Sequence, residues 1–304
     1  MNLRSRFRGA LLGLACGDAV GTTVEFQPRG SFPPLTDMVG GGPFGLKPGQ
    51  WTDDTSMALC LAASLVEKGA FDPHDQMDRY LAWMTLGYLS STGECFDIGN
   101  TTAGALSRYQ VYRNPYSGSP EPRTAGNGSI MRLSPVPMFF FPDGATAIHH
   151  AGESSRTTHG AVECIDACRL LASLLIKALA GHSKEEILFG PHFPPGVDTT
   201  LSPNIQAIAD GLYRDKAESE IQGSGYVVAC LEAALWCFWQ TDNYREAVLR
   251  AANLGDDADT TAAVCGQLAG AFYGEQGIPP AWREKIAMHD EIIRLADGLL
   301  RAER

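Results

Sequence analysis

With 304 residues, 44% hydrophobic and 19% charged, the chain is long enough to bury a substantial core without disulfide staples and is neither disordered nor fibrous in composition. Its net charge of −11 argues against a sequence-independent grip on nucleic-acid phosphates, which needs a basic face, and against docking on anionic lipid. The eight cysteines are scattered through apolar segments without a CxxC pair, which points to free core thiols in a reducing cytoplasm.

The N-terminus, MNLRSRFRGALLGLACGDAVG, sets basic residues before a short apolar stretch, as a secretory signal would. However, Gly9, Gly13, Gly17 and Gly21 recur every four residues and Asp18 follows the apolar part at once, so a buried helix with a glycine stripe is expected. No stretch approaches ~18 uninterrupted apolar residues, and no membrane span is expected. Residues 27–50 read as a Gly- and Pro-rich loop. In 53–68, Met57, Leu61 and Leu65 recur at i+4 and Lys68-Gly69 supplies a stop, so a helix is predicted there. Asp72-Pro73 is a favourable opening for a helix over 73–90. After a second long loop, 112–128, Thr158-His159-Gly160 precedes an apolar helix over 161–180, where Thr158 or His159 is expected as the cap. Beyond a Pro-rich loop, 190–204, helices are predicted over 225–240, 243–254, 259–273 and 281–302, the last an amphipathic surface helix. No stretch alternates apolar and polar residues as a strand would. The expected fold is all-α: one domain spanning 1–304, a compact orthogonal multi-helix bundle.

Two clusters of acids open two of these helices. In WTDDTSMALC (51–60), a helix cap and a first-turn acid account for about two of the four residues Thr52-Asp53-Asp54-Thr55. About 200 residues later, GDDADTT (255–261) again precedes an apolar helix, whose small residues Ala262, Gly266 and Gly270 suit close approach to a neighbour. If packing joins the two helix starts, up to five carboxylates share one site, and like charges at that density call for a cation. Oxygen-only ligands select a hard ion such as Mg²⁺, Mn²⁺ or Ca²⁺, and two ions suit this many ligands. Asp257-x-Asp259 lacks the glycine and distal glutamate of an EF-hand loop. GDAVGTTVEF (17–26) sets Asp18 and Glu25 around flexible glycines, which a helix end plus turn also explains. GNGSIMR (126–132) is either an ordinary tight turn or a loop whose N–H groups hold phosphate oxygens.

Taken in order, GDAVGTTVEF (17–26), WTDDTSMALC (51–60), GECFDIGNTTAGAL (93–106), GNGSIMR (126–132), THG (158–160) and GDDADTTAAVCGQLAGAFYG (255–274) resemble the motifs of the ADP-ribosylglycohydrolase family, typified by dinitrogenase-reductase-activating glycohydrolase. The resemblance spans nearly the whole chain. It implies a compact all-α domain with a binuclear Mg²⁺ (or Mn²⁺) centre at helix N-termini, held by Thr52, Asp53, Asp54, Asp257, Asp259 and Thr260. Asp256 stands where many relatives have glycine or asparagine and is expected just outside the ligand set. The resemblance further implies Glu25 and Asp97 as the catalytic carboxylates, and Asn127, Gly128, Ser129 and His159 as substrate-binding residues.

The implied reaction is hydrolysis of the glycosidic bond between C1″ of ADP-ribose and a modified side chain, on an ADP-ribosylated protein or a small conjugate, by a monomeric enzyme. The CFDIG segment resembles arginine-linkage enzymes; serine-linked ADP-ribose and O-acetyl-ADP-ribose are the nearest alternatives. A non-catalytic ADP-ribose-binding module finds no support, because every expected ligand is present. A DxDxT phosphohydrolase is disfavoured, since the residues before Asp257, YREAVLRAANL, read as helix where that motif follows a strand.

Overall fold

The computed structural model describes residues 1–300, and among these it forms fourteen α-helices, no strand and three isolated bridges. In chain order they are α1 (Leu3–Gly21), α2 (Asp53–Lys68), α3 (Pro73–Leu86), α4 (Asn100–Tyr112), α5 (Pro135–Phe140), α6 (Gly144–Thr158) and α7 (Val162–Ala180). There follow α8 (Lys184–Phe189), α9 (Pro203–Ala209), α10 (Val227–Trp239), α11 (Tyr244–Ala252), α12 (Ala258–Tyr273), α13 (Pro280–Lys285) and α14 (His289–Leu300). Their buried apolar side chains join in one cluster. All eight cysteines are free, and no described helix is long and apolar enough to cross a membrane.

The glycine stripe of α1 is the seam on which the site depends. A Cβ at Gly9, Gly13, Gly17 or Gly21 would strike the backbone oxygen of Gly270, Gly266, Ala262 or Ala258 respectively. The two helices therefore run antiparallel at backbone contact, which only residues this small permit. The C-terminal end of α1, carrying Asp18, is thereby set beside the N-terminal end of α12.

The start of α2 is held from outside its own motif. Thr52 stands at the N-cap position with extended backbone, yet its side chain makes no capping bond. Asp18 does the capping instead. It accepts from Thr52 N–H at 2.9 Å, Thr52 Oγ1 at 3.0 Å, Thr55 N–H at 3.1 Å and Thr55 Oγ1 at 2.6 Å. The acids of α2 are thus released from capping duty.

Three local expectations need correction. The predicted helix 73–90 ends at Leu86, because Gly87 turns left-handed at φ 67° and its N–H closes the last turn. The predicted helix 281–302 is two helices. Ile286 is extended, Ala287 N–H bonds to Gly49 C=O at 2.9 Å, and Met288 has φ 53°. Residues 301 and 302 lie outside the described residues. Finally, neither Thr158 nor His159 caps α7, whose N-cap is Ala161 without a side-chain bond; Thr158 ends α6 and His159 follows as its C-cap.

Candidate active site

Four segments converge on one cleft of about 410 Å³. Asp53 and Asp54 come from the first turn of α2, Asp257, Asp259 and Thr260 from the start of α12, Glu25 from the loop after α1, and Asp97 from the loop before α4. Asn127, Gly128 and His159 line the same cleft. The packing of helix starts expected from the two acidic motifs is therefore present. Thr260 Oγ1 donates to Asp54 Oδ1 at 3.3 Å, and Thr52 Oγ1 lies 3.3 Å from Asp259 Oδ2. Asn127 Nδ2 donates to Asp257 Oδ2 at 2.9 Å. One carboxylate oxygen from each of Glu25, Asp97 and Asp259 lies within 4.8 Å of the others.

Not every predicted residue faces the cleft. Thr52 lies behind it, between Asp18 and Asp259. Ser129 is buried beneath the 126–129 loop, its hydroxyl 3.0 Å from Ser155 Oγ. Asp256 is exposed and contributes through its backbone: its C=O accepts from Phe26 N–H at 2.7 Å, and its N–H donates to Gln27 C=O at 2.8 Å. These bonds tie the Glu25 loop to the start of α12. Phe26, Asp97 and Asp256 all have positive φ, at 64°, 59° and 55°, a conformation that costs about 1 kcal/mol or more each unless the surroundings impose it.

The acids crowd one another without cationic relief. Burial first, then neighbouring carboxylates, raises Asp53, Asp54 and Asp259 well above the usual range. Burial, followed by the charges of Asp97, Asp257 and Asp18, pushes Glu25 up to about 9. Burial and the charges of Asp18 and Asp257 push Asp97 to about 7. Asp18 rises by burial to about 6, held back by its bonds to Thr55 and Thr52. Asp54 Oδ2 and Asp259 Oδ1 are buried and have no hydrogen-bond partner. A set of hard oxygens, two of them orphaned and none paired with a cation, fits a divalent ion.

This crowding gives a signed prediction for the protein stripped of divalent cations. Acids whose folded pKa exceeds the unfolded value bind more protons folded than unfolded. Stability then falls as pH rises from about 4, the unfolded value, through about 9. The EDTA-treated protein is expected to melt at higher temperature at about pH 5 than at about pH 8, and excess Mg²⁺ to raise the melt more at the higher pH. Thermal melts in the four conditions check it; indifference to Mg²⁺ at both pH values contradicts it.

Sequence reasoning left Asp18, Thr55 and Arg132 without roles at the site. Asp18 and Thr55 carried a signal, an acid ending one helix and a spare hydroxyl opening another. Arg132 lies at the end of GNGSIMR and is fully buried behind Gly128 and His159.

An all-helical fold that gathers six carboxylates, four at the starts of two helices and two from loops, beside a Gly-Asn-Gly loop defines an acidic cleft suited to a small ligand handled through a cation. The sequence profile of the ADP-ribosylglycohydrolase family matches residues 1–304, and the chain belongs to that family. It is 48% identical over 294 residues to ADP-ribosylarginine hydrolase Tri1 of Pseudomonas putida (strain GB-1), covering 97% of this chain and 77% of that protein. It is 32% identical over 310 residues to the ADP-ribosyl-[dinitrogen reductase] glycohydrolase of Rhodospirillum rubrum, covering 98% and 97% of the two chains. A solved structure described as an ADP-ribosylglycohydrolase-related protein complex superposes with a TM-score of 0.87 at 43% identity over 99% of each chain. The family and the all-helical fold expected from the motifs are thus borne out.

Proposed function

We propose that the protein hydrolyses the N-glycosidic bond between C1″ of ADP-ribose and an arginine side chain, releasing ADP-ribose and the free guanidinium. The observation that carries this reading is the cleft itself, with six carboxylates and two orphaned buried oxygens at helix starts. The name of its ADP-ribosylarginine hydrolase relatives supplies the linkage. Asp53, Asp54, Asp257, Asp259 and Thr260 would hold two Mg²⁺, or Mn²⁺, from the wall of the cleft, with Thr52 completing the set from behind Asp259. Bound there, the ions would supply positive charge for the ribose hydroxyls and for the attacking water.

The chain's own residues do the rest. Glu25 and Asp97 stand together at the acidic end of the cleft. Between them they take the proton of the attacking water and return it to the nitrogen that leaves C1″ as a neutral guanidine, which restores the free guanidinium. Asn127, anchored to Asp257, and Gly128 form the facing wall against which ADP-ribose is oriented, with Ser129 and His159 supporting that wall. A monomer in a reducing compartment, acting on an ADP-ribosylated protein, belongs to the same reading.

The test is a panel of arginine-, serine- and O-acetyl-linked ADP-ribose substrates, each assayed with Mg²⁺ and with EDTA. Mg²⁺-dependent release of ADP-ribose from the arginine linkage is expected, at least about tenfold above the other two. A preference for serine or O-acetyl linkage would reassign the substrate. ADP-ribose binding without release from any substrate would make the protein a binding module.

A further inference from the structure

The buried guanidinium of Arg132 raises a question that the acidic cleft does not answer. Arg132 is fully buried, and among the described residues no carboxylate pairs with it. Its Nη1 donates to Gly128 C=O, and its Nη2 donates to Thr158 Oγ1 at 2.7 Å and to Ser154 C=O at 3.4 Å. The ring of Tyr80 lies 5.0 Å from its carbon centre. Thr158 Oγ1 is in turn 2.8 Å from His159 Nδ1.

Donor and acceptor capacities settle the protonation of that imidazole. A guanidinium only donates, so the Thr158 oxygen accepts from Arg132. Thr158 is itself fully buried, and the acceptor within reach of its hydroxyl hydrogen is His159 Nδ1. Nδ1 must then be bare and Nε2 must carry the ring hydrogen. The opposite tautomer would leave a buried hydroxyl hydrogen with no acceptor. Burial and the Arg132 charge hold the His159 pKa down to about 3, so the ring is neutral.

The Nε2 edge is the one turned to the cleft. His159 is 2% exposed and lines the cleft, and Nε2 has no partner among the described residues. Gly126 and Gly128 leave this edge clear, since a Cβ at either would lie 3.4 or 3.0 Å from Nε2. No Lys or Arg lines the cleft. Arg132, with no carboxylate partner among the described residues, is the positive group set just behind the 126–128 loop, bonded to Gly128 C=O. An anionic group entering the cleft is repelled at one end and favoured at this one.

We propose that Arg132 and Thr158 are positioning residues that hold His159 as a neutral Nε2–H donor for a diphosphate oxygen of ADP-ribose. The assignment of the ligand rests on the function proposed above; the assignment of the tautomer does not.

The two are separable by experiment on the full chain. In a long-range ¹H–¹⁵N spectrum of the ligand-free wild type near neutral pH, His159 Nδ1 is expected as an unprotonated ring nitrogen and Nε2 as a protonated one. Thr158→Val is expected to give mixed tautomers and to weaken ADP-ribose binding by about tenfold in titration calorimetry, a loss of one strong hydrogen bond. KM should rise correspondingly, with kcat changed by less than about threefold. Thr158→Ser, which restores the hydroxyl, is expected to restore both tautomer and affinity. A protonated Nδ1 in the wild type, or a wild-type tautomer in Thr158→Val, overturns the relay, and the wild-type spectrum needs no variant to fold. Weakened binding with an unchanged tautomer would make Thr158 merely structural and also overturn it. The expected tautomer without any affinity for ADP-ribose would leave the relay standing and overturn the ligand reading.

Discussion

Replacing Asp259 by asparagine is expected to lower kcat/KM by at least about a thousandfold while leaving the helical fold intact. The change is isosteric, but it removes a charge and turns one oxygen into an NH₂ donor that cannot ligate a cation. Loss of a partner behind a metal ligand already costs about 10–100-fold in affinity or activity, so loss of a proposed ligand should cost more. Asp259 occupies the crowded point of the site, within 4.8 Å of carboxylate oxygens of Glu25 and Asp97, with one oxygen unpartnered. Removing it should therefore move stability and activity in opposite directions. In EDTA the Asp259→Asn protein is expected to melt higher than wild type, because one of the mutually repelling acids is gone. Added Mg²⁺ should then stabilise it less. Wild type at a cation concentration of about 100 times Kd gains about 2.7 kcal/mol, and the variant should lose most of that. Asp54→Asn, whose Oδ2 is likewise orphaned, is expected to behave the same way. Turnover at limiting Mg²⁺ and melts with and without EDTA measure both effects. Unchanged turnover in either variant would remove the proposed metal centre.

The residues behind that prediction were legible because their chemistry is local. Thr52-Asp53-Asp54-Thr55 and Asp257-Ala258-Asp259-Thr260-Thr261 each hold more acceptor oxygen than one helix start can use, and the surplus is visible without any structure. The glycine stripe of α1 and the small residues of α12 were legible for a related reason, since a spacing of four puts them on one face. What could not be read was which distant partner served which motif. The capping of α2 by Asp18 depends on the packing of two helices, so the acid looked like the end of one helix and the threonines like the cap of another. The same holds for Arg132, whose burial and pairing with Thr158 are set by α6, twenty-odd residues on.

Two helices at the rim of the site were missed because their buried faces are small or polar. In α4 the inward positions Thr102, Ala105, Leu106 and Tyr109 keep a helical period, but only two are large and apolar. In α6 the buried positions are mostly Ala, Gly, Ser and Thr, with Ile148 the one large apolar side chain. A helix that packs by closeness leaves a weak hydropathy signal, although its period is intact. The break in the last predicted helix is of another kind. Ala287 N–H leaves the helical ladder for Gly49 C=O, a bond to a loop more than two hundred residues earlier.

The same seam gives the second large effect, this time on stability. Gly13→Leu is expected to destabilise the fold by at least about 3 kcal/mol, against a typical total of about 5–15 kcal/mol. A Cβ at Gly13 would strike the carbonyl of Gly266 and lie 3.0 Å from the Cα of Gly270 and 3.1 Å from Tyr244 Cε2. Tyr244 cannot simply swing away, because its hydroxyl donates to Gly13 C=O at 2.7 Å. Two of the three obstacles are backbone, so α1 and α12 must separate. Separation acts on the chemistry as well, since this seam sets Gly21 against Ala258 and Asp259, and Asp18 against the start of α2. Activity should accordingly fall even in the fraction of Gly13→Leu that remains folded. Gly104→Ala in α4 is the control, because its added Cβ meets only Arg108 Nη1 at 3.4 Å, an ordinary contact distance. There the loss of unfolded-state freedom should stabilise by up to about 1 kcal/mol. Urea unfolding, with the slope checked for constancy, compares the two. A Gly13→Leu protein within about 1 kcal/mol of wild type would mean that the helices can part without cost. The close approach of α1 and α12 would then no longer explain how acids two hundred residues apart are held in one cleft.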